Sequence, residues 1–368
     1  MAGLALQNLT LSHFRSHKRV SIETDGRPIA IYGPNGAGKT NILEAISLLS
    51  PGRGMRRATV DEMTRAPENL GWKVSGILES LGHIHEVETS YIGEGSRSVL
   101  IDSKAAPQLA LGRLARIIWL VPVMDRLWVE GADGRRRFLD RLTMSMEPRH
   151  AEQSVIYEKT MRERNRMLKD GVRDPSWYSA VEKQMAEAGA IIESNRVMTV
   201  ARLQEAQKGA DTAFPAADLT LLGPESGAVI TDKDDFLTAF EESRARDMAA
   251  GRTLVGPHRD DLQAVYTAKG TPAKQCSTGE QKALLVSLIL ANGRALAQDF
   301  GAPPIYLLDE VAAHLDADRR AALYDEICAL GAQAWMTGTG AELFDAMGTR
   351  ALYLEVTDEA GISNVRAH

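Results

Sequence analysis

The chain has 368 residues, 44% of them hydrophobic and 25% charged, with a formal net charge of −6. This balance excludes disordered, collagen-like and disulfide-stapled classes and allows one large domain or two. The overall acidity also excludes whole-chain electrostatics as a route to nucleic acid, so any such contact must rest on local basic clusters. The two cysteines, Cys276 and Cys328, share no CxxC spacing, which argues against structural zinc and fits a reducing cytoplasm. The opening "LALQNLTL" is too short for a signal peptide, and the runs "IIWLVPVM" and "ALLVSLILA" are too short for a membrane span.

In chain order, "LALQNLTLSHF" and "RVSIETDG" alternate apolar and polar residues and predict strands. "PIAIYG" predicts a buried strand that runs into "PNGAGKT" and then an apolar helix. From Gly71 to Ser103 a period of two returns, predicting antiparallel hairpins with "GEGS" as one turn. From Glu147 to about Lys208 the β signal vanishes. Val181, Met185, Ala188 and Ile192 share one helix face, predicting a helical insert with a short paired seam. "DFLTAFEESRARDMAAG" predicts a further helix closed by Gly251. A strand "PIYLLDE", a helix "DRRAALYDEICALG" and a final strand pair, "QAWMTGT" and "RALYLEV", complete the pattern. The expected organisation is α/β: residues 1–145 and 251–368 form one core, and 146–250 form a helical domain inserted into it.

Three stretches carry chemistry. "GPNGAGKT" (Gly33, Pro34, Asn35, Gly36, Ala37, Gly38, Lys39, Thr40) fits the phosphate-loop pattern between a strand and a helix. Its glycines let backbone N–H groups curl around phosphates, Lys39 supplies a point charge, and Thr40 offers a hydroxyl to Mg²⁺. "PPIYLLDE" delivers Asp309 to the end of a buried strand as a second metal-side group, and Glu310 is placed to act as general base. "CSTGEQ" sets Ser277, Gly279, Glu280 and Gln281 at a helix start, readable as an anion site or as a capping box. His83 and His85 sit at strand spacing and point to a hairpin face rather than a metal.

The order of phosphate loop, Ser-x-Gly-x-Gln, Asp-Glu and "AHLD" (Ala313 to Asp316) resembles an ABC-type ATPase head of the SMC-like branch. "FRSH" (Phe14 to His17), "RRRFLDRL" (Arg135 to Leu142) and "GPHRDDL" (Gly256 to Leu262) narrow the resemblance to the RecF family over nearly the whole chain. It implies an ABC/SMC-type head built from both chain ends, with an antiparallel β subdomain and the helical insert. It implies ATP and Mg²⁺ as cofactors, with Arg15 and Ser16 joining the nucleotide site. It implies a weak, DNA-stimulated ATPase acting as a switch in an ATP-dependent homodimer. In that dimer Ser277–Gln281 would serve the other subunit's nucleotide. The implied partners are duplex DNA and single-strand/double-strand junctions, RecR with RecO, and indirectly RecA, with no membrane.

Arg53, Arg56 and Arg57, and Arg135, Arg136 and Arg137, are the candidate DNA-facing arginines, readable equally as solvated surface or internal ion pairs. No Q-loop glutamine stands in "IIWLVP", and "WMTGTG" carries Thr337 and Thr339 where such heads often have a switch histidine; both features suit slow hydrolysis. The competing classes are an ABC transporter subunit, another SMC-like repair or defence ATPase, and a scaffold with a degenerate site.

Overall fold

The computed structural model describes residues 3–224, 227–311 and 315–368. The described chain divides into two compact units, 1–125 with 209–214 and 285–368, and 126–208 with 215–284. The 146–250 segment set apart on composition falls within the second unit, except for 209–214. That unit also takes in 126–145 and 251–284.

In the first unit, strands β1 (Leu4–Phe14), β2 (His17–Glu23) and β3 (Ile29–Tyr32) precede helix α1 (Lys39–Ser47). Strands β4 (Trp72–Ser80), β5 (His83–Tyr91), β6 (Ser98–Ile101) and β7 (Lys104–Ala105) follow, then α2 (Leu111–Leu114) and β8 (Ile117–Leu120). β1, β2 and β4–β7 form an antiparallel sheet ordered β2-β1-β4-β5-β6-β7. Alternation along β4, buried at Trp72, Val74 and Leu78, puts one face on the core.

In the second unit, α3 (Ala132–Met146), α4 (His150–Lys169) and α5 (Pro175–Gln207) are followed by β9 (Ala217–Leu222) and α6 (Lys233–Ala250). β10 (Asp261–Tyr266) and β11 (Thr271–Pro272) join β9 in a three-stranded sheet ordered β11-β10-β9. Met185, Ala188 and Ile192 of α5 are buried with Tyr157, Phe236 and Phe240, so the expected seam exists. Gly251 closes α6 at φ 62, a conformation glycine adopts without strain.

Helix α7 (Thr278–Asp299) begins in the second unit, and its residues from Leu285 onward belong to the first. The chain then adds β12 (Ile305–Leu308), α8 (Ala317–Ala329), β13 (Ala334–Gly338), β14 (Leu352–Glu359) and β15 (Ile362–Ala367). The central sheet runs β15-β14-β3-β13-β12-β8, parallel except for β15. Its core strands read as continuous apolar runs, as strands covered on both faces must. β3 therefore has β13 on one side and β14, from the end of the chain, on the other. This is a switch point, where open α/β sheets place their ligands.

One buried amide ties the two sheets of the first unit together. A register shift at Gln7 breaks the β1–β4 ladder. Gln333 accepts from Leu6 N–H at 2.8 Å and donates to Leu6 O at 3.0 Å, satisfying the backbone groups the bulge frees.

Candidate functional site: a phosphate loop and its acidic strand

The loop after β3 owes its course to its glycines. Gly33 has φ 147, and a Cβ there would lie 2.0 Å from the Val356 carbonyl oxygen on β14. Gly38 has φ 103, and a Cβ there would lie 2.3 Å from Ser363 Oγ and 2.6 Å from Ser16 Oγ. Gly36, at φ 83, faces open space. Packing thus demands two glycines from inside, and the third leaves the outer side of the loop clear. Lys39 folds back, its Nζ donating to the carbonyls of Gly33 at 2.7 Å and Pro34 at 2.8 Å. Burial lowers the Lys39 pKa, and Glu310 and Asp309 oppose that shift.

β12 carries its acids to the loop's edge. Asp309 Oδ1 accepts from Thr40 Oγ1 and from Thr337 Oγ1, each at 2.8 Å. Thr337 Oγ1 in turn accepts the Glu310 N–H at 2.9 Å. Glu310 has φ 54, uncommon for a residue with a side chain and costing on the order of 1–3 kcal/mol. Thr337, buried on β13, is the residue that holds this acid pair in place. The depth of β12 is fixed from behind. Tyr306 OH donates to Ile289 O on α7, and a Cβ on Gly293 would lie 1.8 Å from that hydroxyl.

The β1–β2 turn closes the other side. Ser16 Oγ accepts from Asn41 Nδ2 at 2.8 Å and from Ser363 Oγ at 2.6 Å. His17 is buried with Nε2 3.1 Å from Gly38 O. Ser16 thus lies against the loop. Arg15 sits one residue away, but its Nε–Nη2 edge is bound to Glu44, at 2.9 and 2.8 Å, and its Nη1 donates to the Glu62 carbonyl at 2.6 Å. Arg56 adds a third bond to Glu44 at 3.2 Å and reaches Asn41 Oδ1 at 2.9 Å. Asn41, Glu44 and Ser363 were not singled out in the sequence. Asn41 and Glu44 were legible as the face of α1 following Lys39-Thr40, and Ser363 lies on β15, an unexpected strand.

Ser277–Gln281 belongs to the second unit, so the candidate residues fall into two sets. Ser277 N–H and Oγ both meet Glu280 Oε2, at 2.8 and 2.9 Å, forming the capping box. Lys269 also donates to Glu280, and this ion pair with the Ser277 bonds pulls the Glu280 pKa down to about 2. Gln281 is buried, donating to Cys276 O at 2.8 Å. Ser277, Thr278 and Gly279 are exposed, and a Cβ on Gly279 would meet nothing. Of "AHLD", only Leu315 and Asp316 are described, Asp316 capping α8 through Arg319 N–H; Ala313 and His314 lie outside the described residues.

Residues 5–363 match the family described as RecF/RecN/SMC N terminal domain. A DNA replication and repair protein RecF from Brucella suis is 44% identical over 365 residues, covering 96% of this chain and 95% of that protein. The chain is a member of the RecF family. A structure of the recombination mediator protein RecF-ATPrS in the RecFOR pathway covers 99% of this chain and 98% of its own, with TM-score 0.82 and 22% identity. An Smc head domain with an extended coiled coil from Pyrococcus furiosus matches with TM-score 0.58 and 18% identity, covering 99% of this chain and 96% of its own. The fold is that of an SMC-like ABC-type ATPase head.

Two of the three sequence blocks that pointed to RecF, RRRFLDRL and GPHRDDL, meet each other in the second unit. Arg135 makes two bonds to Asp261, at 2.6 and 3.0 Å, and Arg136 donates to Asp260 O at 2.6 Å. Arg137 pairs with Asp133. Arg196, buried, joins Asp140, Glu193 and the Pro257 carbonyl. Arg135 and Arg136 thus brace α3 against the start of β10 and the residue before it. Of the two readings open for Arg135 and Arg136, the bonds within the chain match internal ion pairing, with Asp261 and the Asp260 carbonyl as partners. Arg53 and Arg57 are exposed in the first unit.

The residues present fit Mg²⁺ and a nucleotide. A hydroxyl and a carboxylate, Thr40 and Asp309, form a hard-oxygen pair of the kind Mg²⁺ takes, and the open side of Gly36 beside Lys39 is a cradle for phosphate. Among the described residues, no three His, Cys, Asp or Glu cluster as a separate metal site. None of the described helices is long and apolar enough to cross a membrane.

Proposed function

We propose that the chain is an ATP-dependent DNA-binding switch of recombinational gap repair. ATP binding would join two copies on duplex DNA beside single-strand gaps, and slow hydrolysis would reset them. The observation that carries this reading is the chain of bonds from Thr40 through Asp309 and Thr337 to Glu310, set beside Lys39. Lys39 and the loop N–H groups bind and orient the β- and γ-phosphates. Thr40 and Asp309 would hold Mg²⁺, which would supply positive charge against the charge building on those phosphates. Glu310 takes the proton of the attacking water, and Thr337 fixes its backbone. The absence of a histidine at this position favours a slow cycle.

Ser277 and Gly279, which are exposed, complete the site of a second copy together with the half-buried Glu280. Arg53 and Arg57, with Arg56 at the edge of the nucleotide site, contact DNA phosphates without reading sequence. RecO and RecR, with RecA loading as the outcome, are the partners proposed from the family's role. The cytoplasm is the proposed location, and 1–145 with 251–368 are proposed as the two halves of the head.

The test is binding to gapped and to fully duplex DNA, with and without ATP, across a salt series. ATP should tighten binding, gaps should be preferred, and affinity should fall steeply with salt. Binding that ignores both ATP and salt would sink the proposal.

A further inference from the structure

The second unit contains a concavity that the ATPase cycle leaves unused. A cavity of about 560 Å³ is lined by Leu222, Ile230, Arg246, Leu254, Arg259 and Gln263, among others. A smaller one of about 90 Å³, reaching Trp128 and Lys274, shares Asp261 and Gln263 with it. Asp261 and Gln263 are two apart on β10 and face the same way, so the two hollows form one groove along that strand.

Arg259 stands out within its own sequence block. Its neighbours are all used internally. Pro257 O accepts from Arg196, His258 bonds Tyr157 and Thr253, Asp260 faces Arg196, and Asp261 holds Arg135. Arg259 and Arg246 are exposed and have no carboxylate within ion-pair distance among the described residues. Gln263 is exposed between them and the smaller hollow, its amide without a partner among the described residues. Trp128 Nε1 is buried at the far end with no acceptor among the described residues. The Asp261 charge is taken up by Arg135 and does not oppose an anion.

We propose that this groove docks an acidic peptide segment of a partner protein. Its carboxylates sit on Arg246 and Arg259, its backbone bonds the Gln263 amide, and its aliphatic side chains pack on Leu222, Ile230 and Leu254. Charge complementarity supplies the anion preference, and the aliphatic wall separates a peptide from DNA. Nucleic acid draws its affinity from rows of cations and from stacking on exposed aromatic rings. Besides Arg246 and Arg259, the large hollow is lined by Asp261, Gln263, Gly223 and by Leu, Ile, Val, Pro and Ala, and Trp128 at the far end of the groove is only 4% exposed.

The test is to pan a displayed library of random dodecapeptides on the full chain and then measure synthetic winners by fluorescence anisotropy. Winners should combine at least two acidic with aliphatic residues. Arg246→Glu and Arg259→Glu should each weaken them by roughly tenfold or more, as reversed charge at a close pair does. Both arginines are exposed, so melting curves matching the parent's are expected and show that the fold is kept. Trp128→Phe should weaken those winners that extend to the smaller hollow. No enrichment, equal binding to the charge-reversed chains, or displacement by short duplex DNA would overturn the proposal.

Discussion

At the scale of single residues, Thr337 is the sharpest test of the nucleotide site. Its hydroxyl donates to Asp309 and accepts from Glu310 N–H, so it is used twice. Thr337→Val keeps the shape and leaves that N–H unpartnered, at a cost of about 1–3 kcal/mol. Lys39 and the loop are untouched. Hydrolysis in single turnover should therefore fall roughly ten- to a hundred-fold, the scale of a mispositioned general base, with ATP affinity nearly unchanged. Equal losses in affinity and turnover would show that Thr337 supports the fold alone.

His258 offers a second residue-scale test, in stability. Its Nε2 faces the Thr253 carbonyl and must donate, so Nδ1 accepts from Tyr157 OH. Burial pushes the His258 pKa down to about 4, below the ordinary 6.5. The unfolded chain therefore binds the extra proton first, and folding stability is lost as pH falls from about 6.5 to 4. The size is on the order of 1–3 kcal/mol, given that the imidazole is only partly enclosed. Glu193 works the other way: burial and the Asp260 neighbour raise its pKa to about 9. Melting curves of the parent and of His258→Gln, compared at each pH, isolate the imidazole. The two should converge as pH falls toward 4, and a constant gap would contradict the assignment.

At the scale of elements, the position of β12 depends on a missing side chain. Gly293 lies inside α7, where alanine would be better by roughly 1 kcal/mol on propensity. Its Cβ, however, would strike the buried Tyr306 hydroxyl. Gly293→Ala should destabilise by about 1–3 kcal/mol, as overpacking does, and should lower ATPase activity by moving Asp309. Adding Tyr306→Phe should recover part of both losses; if the double variant is no better than the single, the clash is not the cause. The same region shows why some elements were legible in sequence and others were not. β3, β12 and β13 could be read because buried parallel strands are unbroken apolar runs beside recognisable loops. β15 was missed because Ser363, Asn364 and Arg366 dilute its pattern, although the turn at Ala360-Gly361, with φ 52 and 78, precedes it. That miss also hid Ser363, which braces Ser16 and the Ala37 carbonyl. The arginine block at Arg135 stayed open between readings because a run of cations shows its charge in sequence but hides its partners, Asp260 and Asp261, more than a hundred positions away.

At the scale of the whole molecule, the order of motifs carried more than any one of them. Ser277–Gln281 is by itself a well-formed helix cap, and the structure confirms each of its local bonds. What that cap does not need is Gly279. Glycine there weakens a helix start, relieves no crowding and has no left-handed φ to justify it. A bare, exposed backbone of this kind suits close approach by another surface. If that surface is the phosphate site of a second copy, association must depend on ATP. A Glu310→Gln chain, slow to hydrolyse, should shift from monomer to dimer on adding ATP, read by light scattering. Gly279→Gln should abolish that shift while leaving ATP affinity and melting temperature near the parent's, since the position is exposed and a Cβ there has open space around it. Ser277→Arg should do the same after losing a cap worth about 1 kcal/mol. A Glu310→Gln chain that stays monomeric at saturating ATP would refute the switch itself. A Gly279→Gln chain that dimerises like the parent would refute only the role given to this turn.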